Sequence, residues 1–255
     1  MKLQIQNISK KFQHESGNIE ALSDINLEVV RGQFVCLVGP SGCGKSTLLN
    51  LIAGLENPTS GNIEIDGKIG FIFQEPTLFP WLKVKDNVAF GLKILKKDKK
   101  KIEEVVDFFL RLVHLIQFKD AYPHELSGGM KQKVALARTL ILNPDIILMD
   151  EPFVALDAQT REILYSELQE IWKFTRKTII FVTHNVREAV CLGDRVIVFT
   201  ARPGIIKREF KITLPRPRDL GDLEVIKISN EIKLELQDEI EKVIKEMELY
   251  EKKTR

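Results

Sequence analysis

The chain has 255 residues, of which 44% are hydrophobic, enough to bury one sizeable core and a smaller lobe beside it. Its 38 lysines and arginines nearly balance 36 aspartates and glutamates, so we expect no nucleic-acid partner. No apolar run approaches the ~20 residues that span a bilayer. The three cysteines form neither a disulfide framework nor a metal-binding pair, which favours a reducing compartment.

The first part of the chain alternates strand-like and helix-like patterns. Leu3–Ile8 and Ile25–Val30 alternate apolar and polar residues, whereas Phe34–Val38 is a continuous apolar run typical of a buried strand. A helix is expected over Lys45–Ala53, closed by Gly54. Further strands are expected at Asn62–Ile65, Ile69–Phe73, Asp145–Met149, Thr178–Thr183 and Arg195–Thr200. Helices near Ala158–Phe174 and Val186–Leu192 separate the later strands, which predicts a parallel sheet with helices on its faces.

The middle of the chain has a different pattern. From about Lys85 to Leu142 the periodicity is helical and predicts no strand. One apolar stripe is predicted there, formed by Val105, Phe108, Phe109, Leu112, Val113 and Ile116. The predicted fold class is therefore an α/β core into which a helical lobe is inserted.

The last third ends in a proline- and arginine-rich stretch and a helix. The stretch from Pro203 to Asp222 is expected to run over the surface. An amphipathic helix follows, marked by Ile232, Leu236, Ile240, Val243, Ile244 and Met247. This helix could pack on the core or on a partner, and the core is favoured. Six lysines between Lys93 and Lys101 favour a solvated loop over a membrane-surface patch.

A phosphate-binding motif follows the buried strand. The residues are Gly39-Pro40-Ser41-Gly42-Cys43-Gly44-Lys45-Ser46-Thr47, which we call the phosphate loop. Glycines let successive N–H groups point at phosphate oxygens, and the helix that follows adds a partial positive charge. Lys45 supplies a full charge for the β- and γ-phosphates of ATP, and Ser46 supplies a hydroxyl ligand for Mg²⁺. An ordinary glycine turn before a helix is the less favoured alternative.

Two carboxylates end another predicted strand. Asp150 and Glu151 follow the apolar run Ile146–Met149, and ligands of α/β sheets bind at that end of the strands. Asp150 is expected to hold the Mg²⁺ shell, and Glu151 to orient and deprotonate the attacking water. Taken without the phosphate loop, the pair could equally be an ordinary strand end with a helix cap.

A second anion-receptive helix start lies in the segment Leu126-Ser127-Gly128-Gly129-Met130. A second nucleotide site would need another lysine and another set of Mg²⁺ ligands, and the sequence offers neither. The economical interpretation is one nucleotide held between two copies of the chain.

Nearly the whole chain resembles the ATP-binding cassette (ABC) family. The phosphate loop matches Walker A, Ile146–Asp150 matches Walker B, and Leu126–Met130 resembles the LSGGQ signature with methionine in place of glutamine. Gln74 resembles the Q-loop glutamine, and His184 resembles the switch histidine. Further matches are Leu156-Asp157, at the end of the D-loop, and Phe12, at the position of the aromatic residue that stacks on adenine. Val154 departs from the glycine that is frequent in the D-loop.

The resemblance implies an ATPase with a P-loop NTPase (RecA-like) core, an N-terminal antiparallel β subdomain and an inserted α-helical subdomain. Two chains would sandwich two ATP molecules, each bound by one copy's phosphate loop and covered by Ser127, Gly128 and Gly129 of the other. His184 would contact the γ-phosphate, and Gln74 would sense the nucleotide and join Ser46 and Asp150 around Mg²⁺. Taken singly, Gln74 could be a loop amide, His184 a helix cap and Phe12 a core aromatic.

A narrower resemblance is to the ATPases of nitrate, sulfonate and taurine importers. It is carried by Leu78–Leu92, Thr200–Gly204 and Leu214–Arg218. It implies a peripheral protein at the cytoplasmic face of the membrane, with separate permease subunits and an indirect link to a substrate-binding protein. Leu78, Phe79 and Trp81 would line a groove for a permease helix, or would pack locally. The expected domains are an ATPase domain over 1–220, with its helical subdomain at about 85–142, and a helical tail over 221–255.

Two other classes compete with the importer interpretation. A soluble ABC ATPase acting on DNA, ribosomes or iron–sulfur assembly usually carries a coiled coil or a second cassette, and this sequence has neither signal. A small-molecule kinase could use the same phosphate loop. The Ser-Gly-Gly segment and the pair Asp150 and Glu151 argue against a kinase, which has to keep water away from the γ-phosphate.

Overall fold

A computed structural model describes residues 2–13 and 17–253. Its strands are β1 Lys2–Phe12, β2 Ile19–Val30, β3 Phe34–Val38, β4 Ser60–Ile65, β5 Ile69–Ile72, β6 Ile146–Asp150, β7 Thr178–Val182, β8 Arg195–Phe199 and β9 Ile206–Lys211. Its α-helices are α1 Lys45–Ile52, α2 Val84–Ile94, α3 Lys99–Leu112, α4 Gly128–Leu140, α5 Ala158–Thr175, α6 Val186–Leu192 and α7 Leu223–Lys253. The chain forms two compact units, one of Met1–Asp66 with Thr178–Arg255 and one of Gly67–Lys177.

The first unit contains two kinds of strand pairing. In its antiparallel sheet, β1 lies between β2 and β4. In the second sheet, β3 is parallel to both β7 and β8, and β9 runs antiparallel to β8. Every residue of β3 and β7 is buried, as expected for apolar strands whose faces are both covered.

Helices α6 and α7 complete the core of the first unit. Helix α6 packs on β3 and β8, and α7 packs on α6 and β8. The buried residues of α7 recur at spacings of three and four, and they are Val225, Ser229, Ile232, Leu236 and Glu239. The expectation that this helix packs on the core is therefore confirmed, although Ile240 and Ile244 on the predicted stripe are half-exposed. Side chains from residue 246 onward, including Met247, lie outside the described residues.

The second unit is mostly helical. Its strands β5 and β6 form a parallel pair, and α2, α3 and α4 pack on one another. Helix α4 also contacts β5 and α5, so it joins the strand pair to the rest of this unit. The prediction of helices without strands between Lys85 and Leu142 is confirmed.

Two details differ from expectation. The stretch Pro203–Asp222 contains strand β9, which the sequence does not reveal because four of its six residues are charged and β9 pairs with a neighbouring strand along only one edge. The predicted stripe of α3 is wrong in part: its buried residues are Ile102, Val106 and Leu110, whereas Phe108 is 48% exposed. No helix among the described residues is both long and apolar enough to cross a membrane.

Candidate functional site

The phosphate loop curls between the end of β3 and the start of α1. Gly42 and Gly44 have φ angles of 76° and 93°, in the left-handed region that favours glycine. A Cβ atom at Gly44 would lie 2.7 Å from Leu22 Cδ2, and one at Gly39 would lie 2.8 Å from Cys43 Sγ. Backbone conformation and close packing therefore both demand glycine in this loop.

Lys45 lies inside the loop. Its side chain is 5% exposed, and Nζ donates hydrogen bonds to the carbonyls of Gly39 and Pro40, both at 2.9 Å. Gly44, at the N-cap of α1, offers no side chain to the first N–H groups of that helix. An ammonium group, helix amides and the positive end of the helix dipole are thus combined in one loop, a combination that binds phosphate. Solvent reaches Ser41, Gly42 and Ser46, while Gly44 and Thr47 are half-buried.

Cys43 is buried in the same loop. Its side chain is 1% exposed, and burial raises the pKa of its thiol, against the lowering influence of Lys45. From the sequence, Cys43 is expected to fill a small-residue position in the loop, and a thiol beside the phosphates would be open to alkylation. The structure instead predicts slow alkylation, because a buried neutral thiol is a poor nucleophile.

His184 lies on the exposed loop between β7 and α6. Asn185, not His184, caps α6: its side-chain oxygen accepts from the N–H groups of Arg187 at 3.0 Å and Glu188 at 3.5 Å. Thr183, on the other side, donates its hydroxyl to a Glu188 oxygen at 2.5 Å. The segment around His184 is therefore held at both sides, and the helix-cap alternative for His184 is excluded.

Phe12 ends β1 and is 36% exposed. Lys10 Nζ lies 4.8 Å from the centroid of its ring. Phe12 is therefore not a core aromatic, and its ring lies partly in solvent with a cation beside it.

In the second unit, the two predicted carboxylates stand at the end of β6. The first four residues of this strand are buried, and Asp150 is half-buried. Glu151 has a φ angle of 43°, in a region that costs roughly 1–2 kcal/mol for a residue other than glycine. Its carbonyl accepts from Val154 N–H at 3.3 Å, which closes a tight turn. Such strain is commonly found at functional sites, where surrounding structure holds it in place.

The signature segment forms the N-terminus of α4. Ser127 is its N-cap and accepts from Met130 N–H at 3.3 Å. A Cβ atom at Gly128 would lie 2.9 Å from Leu156 Cδ2, and one at Gly129 would lie 2.6 Å from Thr160 Cγ2. The two glycines therefore let the start of α4 lie against the segment that follows Glu151. Ser127 and Gly128 remain exposed, so this helix start can receive an anion from outside.

The Q-loop segment is held by side chains of the same helix. Gln74 is exposed, and its carbonyl accepts from Gln132 Nε2 at 2.9 Å. Arg138 donates to the carbonyls of Thr77 at 2.9 Å and Pro76 at 3.0 Å, and to the Thr77 hydroxyl at 3.2 Å. Helix α4 thus carries the signature at its start, and two side chains farther along it donate hydrogen bonds to the Q-loop segment. Gln132 and Arg138 were not predicted as site residues, and the signal that the sequence offers is their place on the signature helix, two and eight residues after Met130.

The aromatic segment after the Q-loop is braced from behind. Asn87 is fully buried, accepts from Phe79 N–H at 2.8 Å and donates to the carbonyls of Phe79 and Leu82. The Phe79 ring packs on Phe90, with centroids 4.4 Å apart, whereas Trp81 is 70% exposed. Of the two alternatives, Phe79 follows local packing, and Trp81 offers a large apolar surface to a partner.

Comparisons with known proteins identify the family. The profile described as "ABC transporter" matches residues 22–154. The chain is 49% identical to an uncharacterized ABC transporter ATP-binding protein of Methanocaldococcus jannaschii, covering 96% of this chain and 95% of the relative. It is 44% identical to a nitrate import ATP-binding protein of Synechocystis, covering 98% of both chains. It is 43% identical to a taurine import ATP-binding protein of Jannaschia, covering 96% and 95%.

A solved structure supports the same conclusion. The fold matches a dimeric ATP-binding cassette in a post-hydrolysis state bound to ADP and Pi, with a TM-score of 0.74 and 34% identity over 84% of this chain and all of that one. The predicted fold class, an α/β P-loop NTPase core with an antiparallel β subdomain and inserted helices, is confirmed. The chain therefore belongs to the ABC transporter family, and it is an ATP-binding cassette that hydrolyses ATP.

Proposed function

We propose that this protein is the ATPase subunit of an importer and that two copies close around two ATP molecules. The observation that carries the proposal is one chain with two anion-receptive helix starts, of which only the one at Lys45 has a buried ammonium group. Each ATP would bind to one copy's phosphate loop and be covered by Ser127, Gly128 and Gly129 of the partner subunit.

Each predicted site residue then has a chemical role. Lys45 neutralises the β- and γ-phosphates, and Glu151 orients the attacking water and accepts its proton. His184 holds the γ-phosphate, Gln74 senses it, and the exposed ring of Phe12 stacks on adenine. The left-handed conformation of Glu151 supports its role, because backbone strain of this kind is commonly found at functional sites.

The proposed magnesium ligands are Ser46, Asp150 and Gln74. A hydroxyl, a carboxylate and an amide provide hard oxygen atoms, which fit Mg²⁺. No group of three or more His, Cys, Asp or Glu side chains that could hold a metal occurs in residues 2–13 and 17–253. That fits an ion held by few protein ligands, water and phosphate oxygens rather than by a protein cage. When bound, Mg²⁺ would neutralise phosphate charge that develops during hydrolysis.

The transport role rests on the relatives and on the surface near the Q-loop. Relatives matched over at least 95% of their length are named for import of nitrate and of taurine, which makes a small anionic or zwitterionic solute the best expectation. Exposed Trp81 would receive a helix from a separate permease at the cytoplasmic membrane face, and the substrate-binding protein would act through that permease. We retain 1–220 as the ATPase domain, with its helical subdomain at about 85–142, and 221–255 as the tail.

A glutamine at position 151 tests the sandwich directly. We expect Glu151→Gln to bind ATP, to hydrolyse it very slowly and to elute as a dimer in ATP and Mg²⁺. The matched control is the double variant that also carries Lys45→Ala, which should elute as a monomer. A Glu151→Gln protein that stays monomeric at high concentration with saturating ATP would refute the sandwich.

A pull-down from solubilised membranes of the native organism tests the transport role. Recovery of a polytopic permease would support it, and the solute could be sought among genes beside that permease. Recovery of soluble partners alone, with ATPase activity intact, would support the competing soluble ATPase. The import names of relatives along the full chain argue against that second candidate.

A further inference from the structure

A segment of the first unit lies directly against the phosphate loop. It comprises Thr200–Gly204, and we call it the 200–204 loop. A Cβ atom at Gly204 would lie only 2.0 Å from the Cys43 carbonyl oxygen, so the two backbones touch. Gly204 also donates its N–H to the Ala21 carbonyl at 2.9 Å and accepts from Ser23 N–H at 3.1 Å. The 200–204 loop is therefore anchored to β2 and supports the phosphate loop from one side.

Arg202 extends this contact to a second residue of the phosphate loop. Its Nε donates to the Gly42 carbonyl at 3.4 Å, and a Cβ atom at Gly42 would lie 3.1 Å from the guanidinium. In a phosphate-binding loop the N–H groups must face the ligand and some carbonyls must face away from it. A donor that holds the Gly42 carbonyl therefore favours the binding conformation.

The C-terminal helix α7 holds the 200–204 loop through one carboxylate. Ala201 N–H donates to Glu239 Oε2 at 2.9 Å, and Glu239 is 3% exposed. Lys207 and Lys242 place their ammonium groups 3.2 and 2.8 Å from Oε1 of the same carboxylate. Burying a carboxylate is costly, and apolar residues commonly replace buried ion pairs without loss of stability. Packing of α7 alone therefore gives no reason for a glutamate at this position.

Helix α7 also approaches the other ATP-site segment of this unit. Leu236 and Ile240 line one groove together with His184, Asn185 and Val186. The same face of α7 thus lies across a groove from the loop of the switch histidine and reaches the phosphate loop through Ala201.

We propose that Glu239 is a positioning residue of the ATP site, which holds the phosphate loop in its binding conformation through the 200–204 loop and Arg202. The inference rests on the proposed role of the phosphate loop in binding ATP. It gives the C-terminal helix a function in nucleotide binding beyond its contribution to stability.

The test compares four variants of the full chain. Glu239→Leu removes the acceptor, Glu239→Gln keeps an oxygen for Ala201 N–H, and Arg202→Ala removes an exposed donor. Glu235→Gln is the control, because Glu235 lies one turn earlier on α7 and its carboxylate pairs with Arg208 and, at 4.0 Å, with Lys207, whereas Ala201 N–H donates to Glu239. For each variant we would measure the Kd for ATP, KM and kcat, the melting temperature, and the rate at which iodoacetamide labels Cys43 without nucleotide, read from the mass of its peptide.

We expect Glu239→Leu to raise the Kd and KM for ATP about tenfold, the scale of one charged hydrogen bond, with a much smaller change in kcat. Glu239→Gln should restore most of the affinity, Arg202→Ala should weaken binding, and Glu235→Gln should leave it unchanged. Labelling of Cys43 should accelerate in Glu239→Leu, because a phosphate loop that is held less firmly exposes its buried thiol more often.

Unchanged ATP affinity and unchanged Cys43 labelling in Glu239→Leu would overturn the inference and leave α7 a purely stabilising helix. If that variant fails to fold, Arg202→Ala decides, and normal affinity with normal labelling overturns the inference equally. The variant Lys45→Ala distinguishes a failure of this inference from a failure of the proposed function. If Lys45→Ala binds ATP normally, the phosphate-loop assignment itself is wrong, whereas the Cys43 labelling still reports whether α7 holds the loop.

Discussion

Replacing Arg138 by alanine releases the Q-loop from the signature helix. The guanidinium donates three hydrogen bonds to Pro76 and Thr77, and Thr77 has a φ angle of 46°, which a non-glycine residue adopts only at a cost. Burial lowers the pKa of Arg138, so the folded protein also bears a desolvation cost that these bonds offset. Without Arg138, Thr77 loses the hydrogen bonds to its carbonyl and hydroxyl that help to hold it in this conformation.

The expected loss of stability can be estimated from the bonds themselves. A hydrogen bond to a charged group contributes about 1.5–3 kcal/mol. Because Thr77 is exposed and water can replace part of the interaction, we expect a total loss of about 2–3 kcal/mol. At roughly 2–4 °C per kcal/mol for a chain of this size, the melting temperature should fall by about 5–10 °C. Because Gln74 lies on the released segment, kcat should fall by about 10- to 100-fold while KM for ATP changes little.

Calorimetry and steady-state ATPase assays check these two effects, at a temperature where every variant is folded. Lys133→Gln is the matched control, because Lys133 lies on the same helix and pairs with Glu167 at 2.7 Å without touching the Q-loop. The melting temperature and kcat of Arg138→Lys should lie between those of the parent protein and Arg138→Ala, since an ammonium group cannot reproduce the two-pronged geometry of a guanidinium. If Arg138→Ala retains the melting temperature and kcat of the parent protein, the reasoning is refuted.

Two further substitutions and one labelling experiment test the site. Lys45→Ala should raise the Kd for ATP by about 100-fold or more, because it removes a buried charge that would contact two phosphates. Equilibrium titration measures the Kd, and undiminished affinity would contradict the prediction. Gly129→Ala places a Cβ 2.6 Å from Thr160, so it should lower the melting temperature, and an unchanged value would mean that the start of α4 moves easily. Cys43 should react slowly with iodoacetamide at pH 8, and the reaction should become faster as the pH rises towards the raised pKa of the thiol. Rapid labelling at pH 7 would contradict this prediction, because it would show that the thiol is accessible.

Local sequence patterns predicted most helices and strands, because those elements depend mainly on residues that are near one another in the sequence. The apolar run Phe34–Val38 is typical of a strand buried on both faces, and β3 is such a strand. Helix α6 was expected near Val186–Leu192 and has those bounds, although the residue that caps its start is Asn185 rather than His184. Strand β9 could not be predicted, since its charged residues follow neither period and its stability comes from pairing with β8.

The buried side of α3 shows where periodicity is insufficient. Val105 and Phe108 share the spacing of a buried stripe, yet the helix buries Ile102, Val106 and Leu110. Both sets satisfy the helical period, and only the positions of α2 and α4 decide which one turns inward. The same limit applies to Glu239, because nothing in its sequence position indicates that its carboxylate accepts a hydrogen bond from the Ala201 backbone amide.

The sequence by itself determined the chemistry of the phosphate loop, the carboxylates after β6 and the signature glycines, because each depends on residue types at short, fixed spacing. It also determined the family, since those motifs occur together and in order. Only the tertiary structure decided what supports them: Gln132 and Arg138 on the Q-loop, and Arg202 and Glu239 behind the phosphate loop. The physical reason is that these supports are hydrogen bonds to backbone groups distant in sequence. A backbone amide or carbonyl is the same at every residue, so no residue pattern marks the partner in advance.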